Sequence, residues 1–290
     1  MENIAVLRQA LPYLQRFKNQ IFVIKFGGEA IDEPEVLERL IEDVALLHLV
    51  GIRIVIVHGG GKQTTETAKQ LGIETKFVAG RRVTDEKTID VLKMVLAGKL
   101  NTELLAMLKR KGVRATSVSG VAAGIIDAQK RPPRVVTGGG DEPIDLGQVG
   151  DIVRVDTDFL KLLLDANYVP VLSPLGSDAE GNVLNINADI VASRIAAELQ
   201  AEKLLLLTGA LGVMQDLHDP TTLISRMTIA ETREAIASGF IQGGMIPKLE
   251  EAIRTLENGC KRVHILSATE PHQLLIEIFT QSGCGTMIVP

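Results

Sequence analysis

The sequence predicts an α/β fold built on a parallel or mostly parallel sheet with helices on both faces. Two observations carry that reading. Short apolar runs, "IFVIKF", "RIVIV", "YVPVL", "KLLLLT" and "RVHIL", stop close to Gly, Ser, Thr or Pro, as strands covered on both faces do. Between them lie amphipathic segments at 34–50, 62–71, 85–110, 157–166, 188–199, 228–238 and 245–258. Alternation of this kind places helices on both sides of a parallel sheet.

The remaining elements follow in chain order. Ile4, Leu7, Leu11, Leu14 and Phe17 recur at spacings of three and four, which predicts a helix over residues 1–18. Pro12 should kink it. Such a helix either docks on its own domain or packs as an arm on another subunit, and the spacing fits both. Residues 114–155 read differently. "RATSVSG", "GIIDAQKR", "RVVTG" and "VGDIVRVD" suggest short strands with Gly and Pro turns, a hairpin-rich insert. "SPLGSDAEGN" (173–182) is the expected hinge between two halves.

Bulk composition narrows the class. With 290 residues, 46% hydrophobic and 23% charged, the chain suits a globular protein with one large or two modest cores. A formal net charge of -5 without any block of like charges argues against nucleic acid as a partner. Cys260 and Cys284 form no disulfide framework and no metal-ligand spacing, which fits a reduced compartment. Glu2, Arg8 and Pro12 deny the N-terminus a signal peptide's apolar core, and no apolar run approaches membrane-spanning length. A cytoplasmic location is expected.

"IRIVIVHGGGKQTTETAK" (52–69) runs a strand into His58, three glycines and a helix. Glycine lets main-chain N–H groups lie against a ligand, and a helix start gathers positive charge, so this loop suits an anion. It is no P-loop, because Ile56 and Gln63 stand where a glycine and a hydroxyl belong. It is no dinucleotide fingerprint either, since Thr64 takes the place of the last glycine. Four more stretches join it: "VIKFGG" with Lys25, Gly27 and Gly28; "GRRVTD" with Arg81 and Arg82 before a helix capped by Thr84; "LNINAD" with Asn185, Asn187 and Asp189; "QGGMIPK" with Lys248. Taken singly, each has a plainer role as turn, solvated cation or helix cap. Together, at the carboxyl ends of strands, they can share one crevice. Two glycine-lined anion pockets, two lysines, an arginine and a carboxylate match the needs of phosphoryl transfer, which is positioning plus cations. A carboxylate acceptor is already ionised at neutral pH and requires no general base.

In that order, "VIKFGG", "VIVHGGG", "GRRVTD", "LGQVGDI", "LNINAD" and "GGMIPK" resemble the N-acetylglutamate kinases of the amino-acid kinase family, over residues 20 to 290. The resemblance implies a three-layer α/β/α sandwich. A helical arm (1–18) would precede an acylglutamate-binding and dimerisation lobe (19–175) and an ATP-binding lobe (176–290). It implies ATP-dependent phosphorylation of the γ-carboxylate of N-acetyl-L-glutamate in arginine biosynthesis, with Mg²⁺ held mainly by the nucleotide phosphates. By motif position, Lys25 and Lys248 stabilise the transferring group and Asp189 holds both lysines. Gly60, Gly61, Arg82, Asn185 and Asn187 bind the substrate; Gly27, Gly28, Thr208 and Gly244 meet nucleotide and phosphate. No residue is implied as a dedicated metal ligand.

"ALPYLQRF" resembles the extra helix of arginine-inhibited members, where it interlaces dimers into a hexamer, and "HQLLIEIFTQSGCGTM" resembles their effector segment. Tyr13, His272, Glu277 and Gly283 are then candidate arginine contacts, and Glu277 could meet a guanidinium bidentately. Some relatives also bind the PII signalling protein; no feature decides that here. Departures stand beside the matches. Gly209 follows Thr208 where an aspartate is usual, "SGVAAG" (119–124) and "ILSATEP" replace the usual turns, and "VMQDLHDPTT" (213–222) is unusual. Rival readings are a kinase for N-succinylglutamate or carrier-linked aminoadipate, and a non-catalytic arginine or nucleotide sensor. Aspartate or carbamate kinase fits worse, because "LNINAD" and "GRRVTD" would lose their roles.

Overall fold

The structure is a computed structural model that describes residues 2–135, 140–216, 219–281 and 283–290. Helix α1 (Glu2–Phe17) continues through Pro12 without a break. The proline removes one intrahelical bond, while Phe17 fixes the last turn in the core at 3% exposure. Next come β1 (Ile21–Phe26), a short α2 (Gly28–Asp32), α3 (Pro34–Leu49), β2 (Arg53–His58) and α4 (Gly61–Gln70). Pro34 lies in the first turn of α3, where a missing N–H is no loss. A hairpin of β3 (Lys76–Val78) and β4 (Arg81–Val83) leads to α5 (Glu86–Leu92), a π-helical stretch Lys93–Leu100 and α6 (Asn101–Arg110). The cap of α5 is Asp85, not the expected Thr84: its carboxylate accepts from the Thr88 amide at 2.8 Å. Thr84 instead bridges to Gly147.

The chain goes on through β5 (Ala115–Ser119), β6 (Ile126–Lys130), β7 (Gly150–Val155), α7 (Asp158–Asp165), β8 (Val169–Ser173), β9 (Leu175–Ser177) and β10 (Val183–Asn185). It then forms α8 (Ala188–Glu198), β11 (Lys203–Thr208), β12 (Arg226–Thr228), α9 (Ile229–Ala237), α10 (Met245–Glu257), β13 (Val263–Ser267), α11 (Gln273–Phe279) and β14 (Thr286–Val289). Thr228 and Glu231 close a reciprocal capping box at the start of α9.

Eight strands make the central sheet in the order β12-β14-β13-β11-β1-β2-β8-β5. All neighbours run parallel except β13 and β14. Side chains alternate across a strand. Phe22, Ile24 and Phe26 of β1 enter one core with Ile41 and Val44 of α3, Leu104 of α6 and Leu274 of α11. Val23 enters the opposite core with Val191 and Ile195 of α8 and Leu249 and Ala252 of α10. The expected three layers are therefore present. The same alternation turns Lys25 toward α8 and α10, and this positions the site.

The insert departs from expectation. Residues 115–119 join the central sheet beside β8, in parallel. Only β6 and β7 remain a hairpin, in a second sheet ordered β10-β9-β6-β7. The expected hinge at 173–182 holds the hairpin of β9 and β10, whose turn is tied by Asp178 accepting from the Glu180 and Asn182 amides. An Asx-type turn of this kind closes the hairpin locally. Residues 136–138 of the expected strand "RVVTG", Leu217 and His218 of the unusual stretch, and the side chains of Ile4 and Leu7 lie outside the described residues.

Candidate active site

Asn187 caps α8, its side-chain oxygen accepting from the Asp189 and Ile190 amides at 2.8 and 3.2 Å. The cap fixes Asp189 in the first turn, facing β1. There Lys25, 8% exposed, brings its Nζ to 2.8 Å from Asp189 Oδ1. Lys248, near the start of α10, places its Nζ 3.1 Å from Asp189 Oδ2. Burial alone would push the Asp189 carboxyl up. The charges of Lys25 and Lys248 outweigh it and hold the group below the usual carboxylate range. One carboxylate thus gathers two ammonium groups from opposite ends of the chain.

Beside this trio opens a cleft of about 550 Å³ whose lining includes Arg82, Asn185, Asn187, Asp189, Gly244 and Lys248. Arg82 is tightly placed: one Nη2 donates to the Gly61 carbonyl at 2.7 Å and to Thr65 Oγ1 at 2.8 Å, and the guanidinium stacks on Phe77 at 4.7 Å. Burial lowers its pKa from the usual arginine value. Its Nη1 is buried and finds no acceptor among the described residues, which leaves a donor for an anionic ligand. Asn185 donates to Thr84 Oγ1 at 3.3 Å. Asn187 spends its oxygen on the cap, so its plain role and its pocket-lining role coincide.

The glycines divide by cause. A Cβ at Gly60 would meet Leu100 and Leu96 methyl carbons at 2.4 and 2.6 Å, so the loop lies flat on the π-helical stretch. A Cβ at Gly27 would meet the Leu207 carbonyl at 2.7 Å. Gly28 and Gly61 are open at the ends of β1 and β2, where a ligand can approach. Thr208, at the end of β11, exchanges hydrogen bonds with Ala210 and so shapes the turn. His58 is fully buried: its Nδ1 meets the Gly59 carbonyl at 2.8 Å and its Nε2 meets Asn101 Nδ2 at 3.3 Å. Burial lowers its pKa to about 4. The histidine is a neutral brace under the glycine loop.

The sequence pattern of the amino acid kinase family matches residues 20–267. The chain belongs to the amino acid kinase family. Its full-length relatives there include "Acetylglutamate kinase" of Methanocaldococcus jannaschii, 45% identical and aligned over 99% of this chain and 96% of that one. The protein of the same name from Symbiobacterium thermophilum is 46% identical over 100% and 98%. Among solved structures, an N-acetylglutamate synthase of Neisseria gonorrhoeae complexed with coenzyme A and L-arginine superposes with a TM-score of 0.79 at 27% identity. This kinase-family chain covers 65% of that longer synthase and 99% of its own length is matched. Carbamate kinase of Giardia lamblia, at 18% identity and a TM-score of 0.68, shares the fold.

Two further cavities of this amino acid kinase bear on the expected site residues. One of about 430 Å³ is lined by Gly212, Val213, Met214, Phe240, Ile241 and Met245, and Met245 follows the Gly244 that lines the cleft. The other, about 400 Å³, lies between α1 and the C-terminal segment. Tyr13, Glu277 and Gly283 line it together, but His272 does not: its Nδ1 is bound to Asp43 at 2.9 Å. His272 has a positive φ of 55° at the start of α11, and Asp43 on α3 draws its ring away. Burial would raise the Glu277 pKa, yet His264 at 2.7 Å and the Cys284 amide at 2.8 Å bring it to about 2. Gly283 allows that approach, since a Cβ there would meet Glu277 Oε2 at 2.7 Å.

Sequence motifs missed Arg131, Arg134 and Arg254 in the cleft and Met214 and Phe240 in the second cavity, while Met245 stands in "GGMIPK" without a role read from it. No fixed spacing announces them. The arginines come from the insert and from the far turns of α10, and only the fold brings them to Arg82.

Proposed function

We propose that the cleft transfers the terminal phosphoryl group of ATP to the γ-carboxylate of N-acetyl-L-glutamate. One observation carries this: Lys25 and Lys248 share Asp189 at the wall of a cleft where Arg82 keeps an unused donor. Phosphorylation of N-acetylglutamate in arginine biosynthesis is also what the acetylglutamate kinase relatives support.

The acceptor binds in the N-terminal lobe (19–175), its α-carboxylate on Arg82 Nη1, with Asn185 and Asn187 beside the acyl group. ATP lies against the C-terminal lobe (176–290), its base in the cavity of Met214 and Phe240 and its phosphates over Gly27, Gly28 and Gly244. The acceptor oxygen forms a bond to the γ-phosphorus as the bond to the ADP oxygen breaks. Negative charge spreads over the phosphoryl oxygens, and the two lysines move from Asp189 onto that charge. Gly60 and Gly61 amides add fixed dipoles that need no reorganisation. Among the described residues no group of three or more His, Cys, Asp or Glu gathers as a metal site, and Asp189 is held by its lysines. Mg²⁺ keeps several waters and binds substrate phosphates with few protein carboxylates, so the nucleotide phosphates would hold most of it; bound, the ion would neutralise phosphate charge.

The test is a hydroxamate assay of ATP with acetyl-, succinyl- and formyl-glutamate, aspartate and carbamate. N-acetylglutamate should be the preferred acceptor. Loss of turnover in Lys25→Ala and Lys248→Ala is expected; unchanged turnover refutes the assignment.

A second reading, feedback inhibition by arginine, is supported by the cavity of Tyr13, Glu277 and Gly283 and by the arginine complex of the Neisseria synthase. The guanidinium would meet Glu277. Subunit pairing through the N-terminal lobe, with α1 joining dimers into a larger ring, belongs to the same reading.

A further inference from the structure

His58 and Asn101 belong to a row of hydrogen bonds that can run in one direction only. At one end Asn101 Nδ2 donates to the Val171 carbonyl at 3.0 Å, and at the other His58 Nδ1 stands 2.8 Å from the Gly59 carbonyl. Between them Asn101 Nδ2 and His58 Nε2 are 3.3 Å apart. Both carbonyls only accept, so Gly59 fixes the ring proton on Nδ1 and Val171 fixes the orientation of the Asn101 amide. The ring is neutral, since burial lowers its pKa to about 4. Its Nε2 therefore accepts the second Asn101 proton. The penalty falls on Asn101 Oδ1, which is buried and finds no donor among the described residues. An apolar side chain would avoid that penalty, so the nitrogen is what this amide contributes.

This row sets one peptide. Gly59 donates its own N–H to the Phe26 carbonyl at 3.0 Å, so both of its polar groups are tied. Its carbonyl and the Gly60 N–H belong to the same planar trans unit and point in opposite directions. His58 lies on the sheet face of Ile54 and Ile56, toward α6, while Lys25 lies on the opposite face with Val23. Drawing the carbonyl to His58 therefore turns the Gly60 N–H toward the Lys25 side. Gly60 is buried, and that N–H has no acceptor among the described residues, whereas its carbonyl takes two donors from Thr64. A buried backbone N–H left unpaired is rare, and an incoming ligand atom accounts for it. The π-helical stretch serves the same arrangement: Leu96 and Leu100 lie under Gly60, and Asn101, the next residue, reaches His58. Resting on the kinase reading above, we propose that His58 and Asn101 are positioning residues that aim the Gly60 N–H at the phosphoryl group in transfer.

Steady-state kinetics on the full chain, with the urea midpoint of each variant measured alongside, tests this. His58→Leu should lower kcat about 10²-fold, the scale of one lost oxyanion donor, with KM for ATP and N-acetylglutamate changed by no more than about twofold. Asn101→Leu, which frees the ring to take either tautomer, should lower kcat about tenfold. His58→Asn should recover most of the turnover lost in His58→Leu, because its amide nitrogen can take the place of Nδ1. Binding of ADP with aluminium fluoride and N-acetylglutamate, a mimic of the group in transfer, should weaken in parallel with kcat, while binding of ADP alone should not. A loss of kcat that instead follows the urea midpoint, with His58→Asn no better than His58→Leu, means a structural role and overturns the proposal. So does unchanged kcat in His58→Leu. If the unaltered chain phosphorylates no acceptor, the kinase reading itself fails and takes this proposal with it.

Discussion

At the scale of single residues, the site is a balance of three charges and a brace. Replacing Lys25 or Lys248 with alanine should lower kcat by about 10²–10³-fold with a smaller change in KM, since cations of this kind act on charge that develops in the transition state; steady-state kinetics over both substrates measures the split. His58 predicts an acid weakness. Its folded pKa, about 4, lies below the ordinary 6.5, so between these values the unfolded chain binds the proton and the folded one does not. Stability contributed above pH 6.5 is therefore lost as pH falls toward 4, up to about 3 kcal/mol. Urea titrations at pH 7 and pH 4.5 should show a smaller loss for His58→Asn than for the unaltered chain. The motif residues Lys25, Arg82, Asp189 and Lys248 were legible beforehand because each follows a strand end or a helix start, where chain direction and capping fix the side chain. His272 was not. Its motif position said nothing of Asp43, a buried acid on another helix.

Elements carry these residues by register. Lys25 reaches Asp189 because the pleat turns it to the Val23 face, and Arg82 reaches the Gly61 carbonyl because β3 and β4 fold back over α4. Gly147 holds this corner. Its φ is +74°, and a Cβ would lie 2.2 Å from the Thr84 carbonyl. Gly147→Ala should cost about 1–3 kcal/mol of stability and raise KM for the acceptor more than for ATP, because the strand bearing Arg82 runs directly into Thr84. A KM change confined to ATP would contradict that link. The longer helices and five core strands could be read from period and composition, while the short α2 and α11 could not. The second sheet could not, because β9 and β10 have three residues each and the pairing of β9 with β6 joins distant parts of the chain. The same holds for β5, where the Gly and Pro turns of the insert suggested a hairpin and the strand instead pairs with β8.

For the whole molecule, the C-terminal segment and α1 meet across a cavity remote from Lys25. Arginine should inhibit the enzyme, and Tyr13→Ala should shift the inhibition curve to higher arginine; flat activity at millimolar arginine removes the reading. Continuity of the central sheet has a mechanical consequence. The residues assigned to acceptor and to nucleotide hang from one hydrogen-bonded ladder, β2 against β1 against β11. A door-like swing between them would tear that ladder. Admission and release must rely on elastic bending of a stiff twisted plate and on the loops along its rim, so the strain of closing is spread over many small displacements and concentrated at no single pivot.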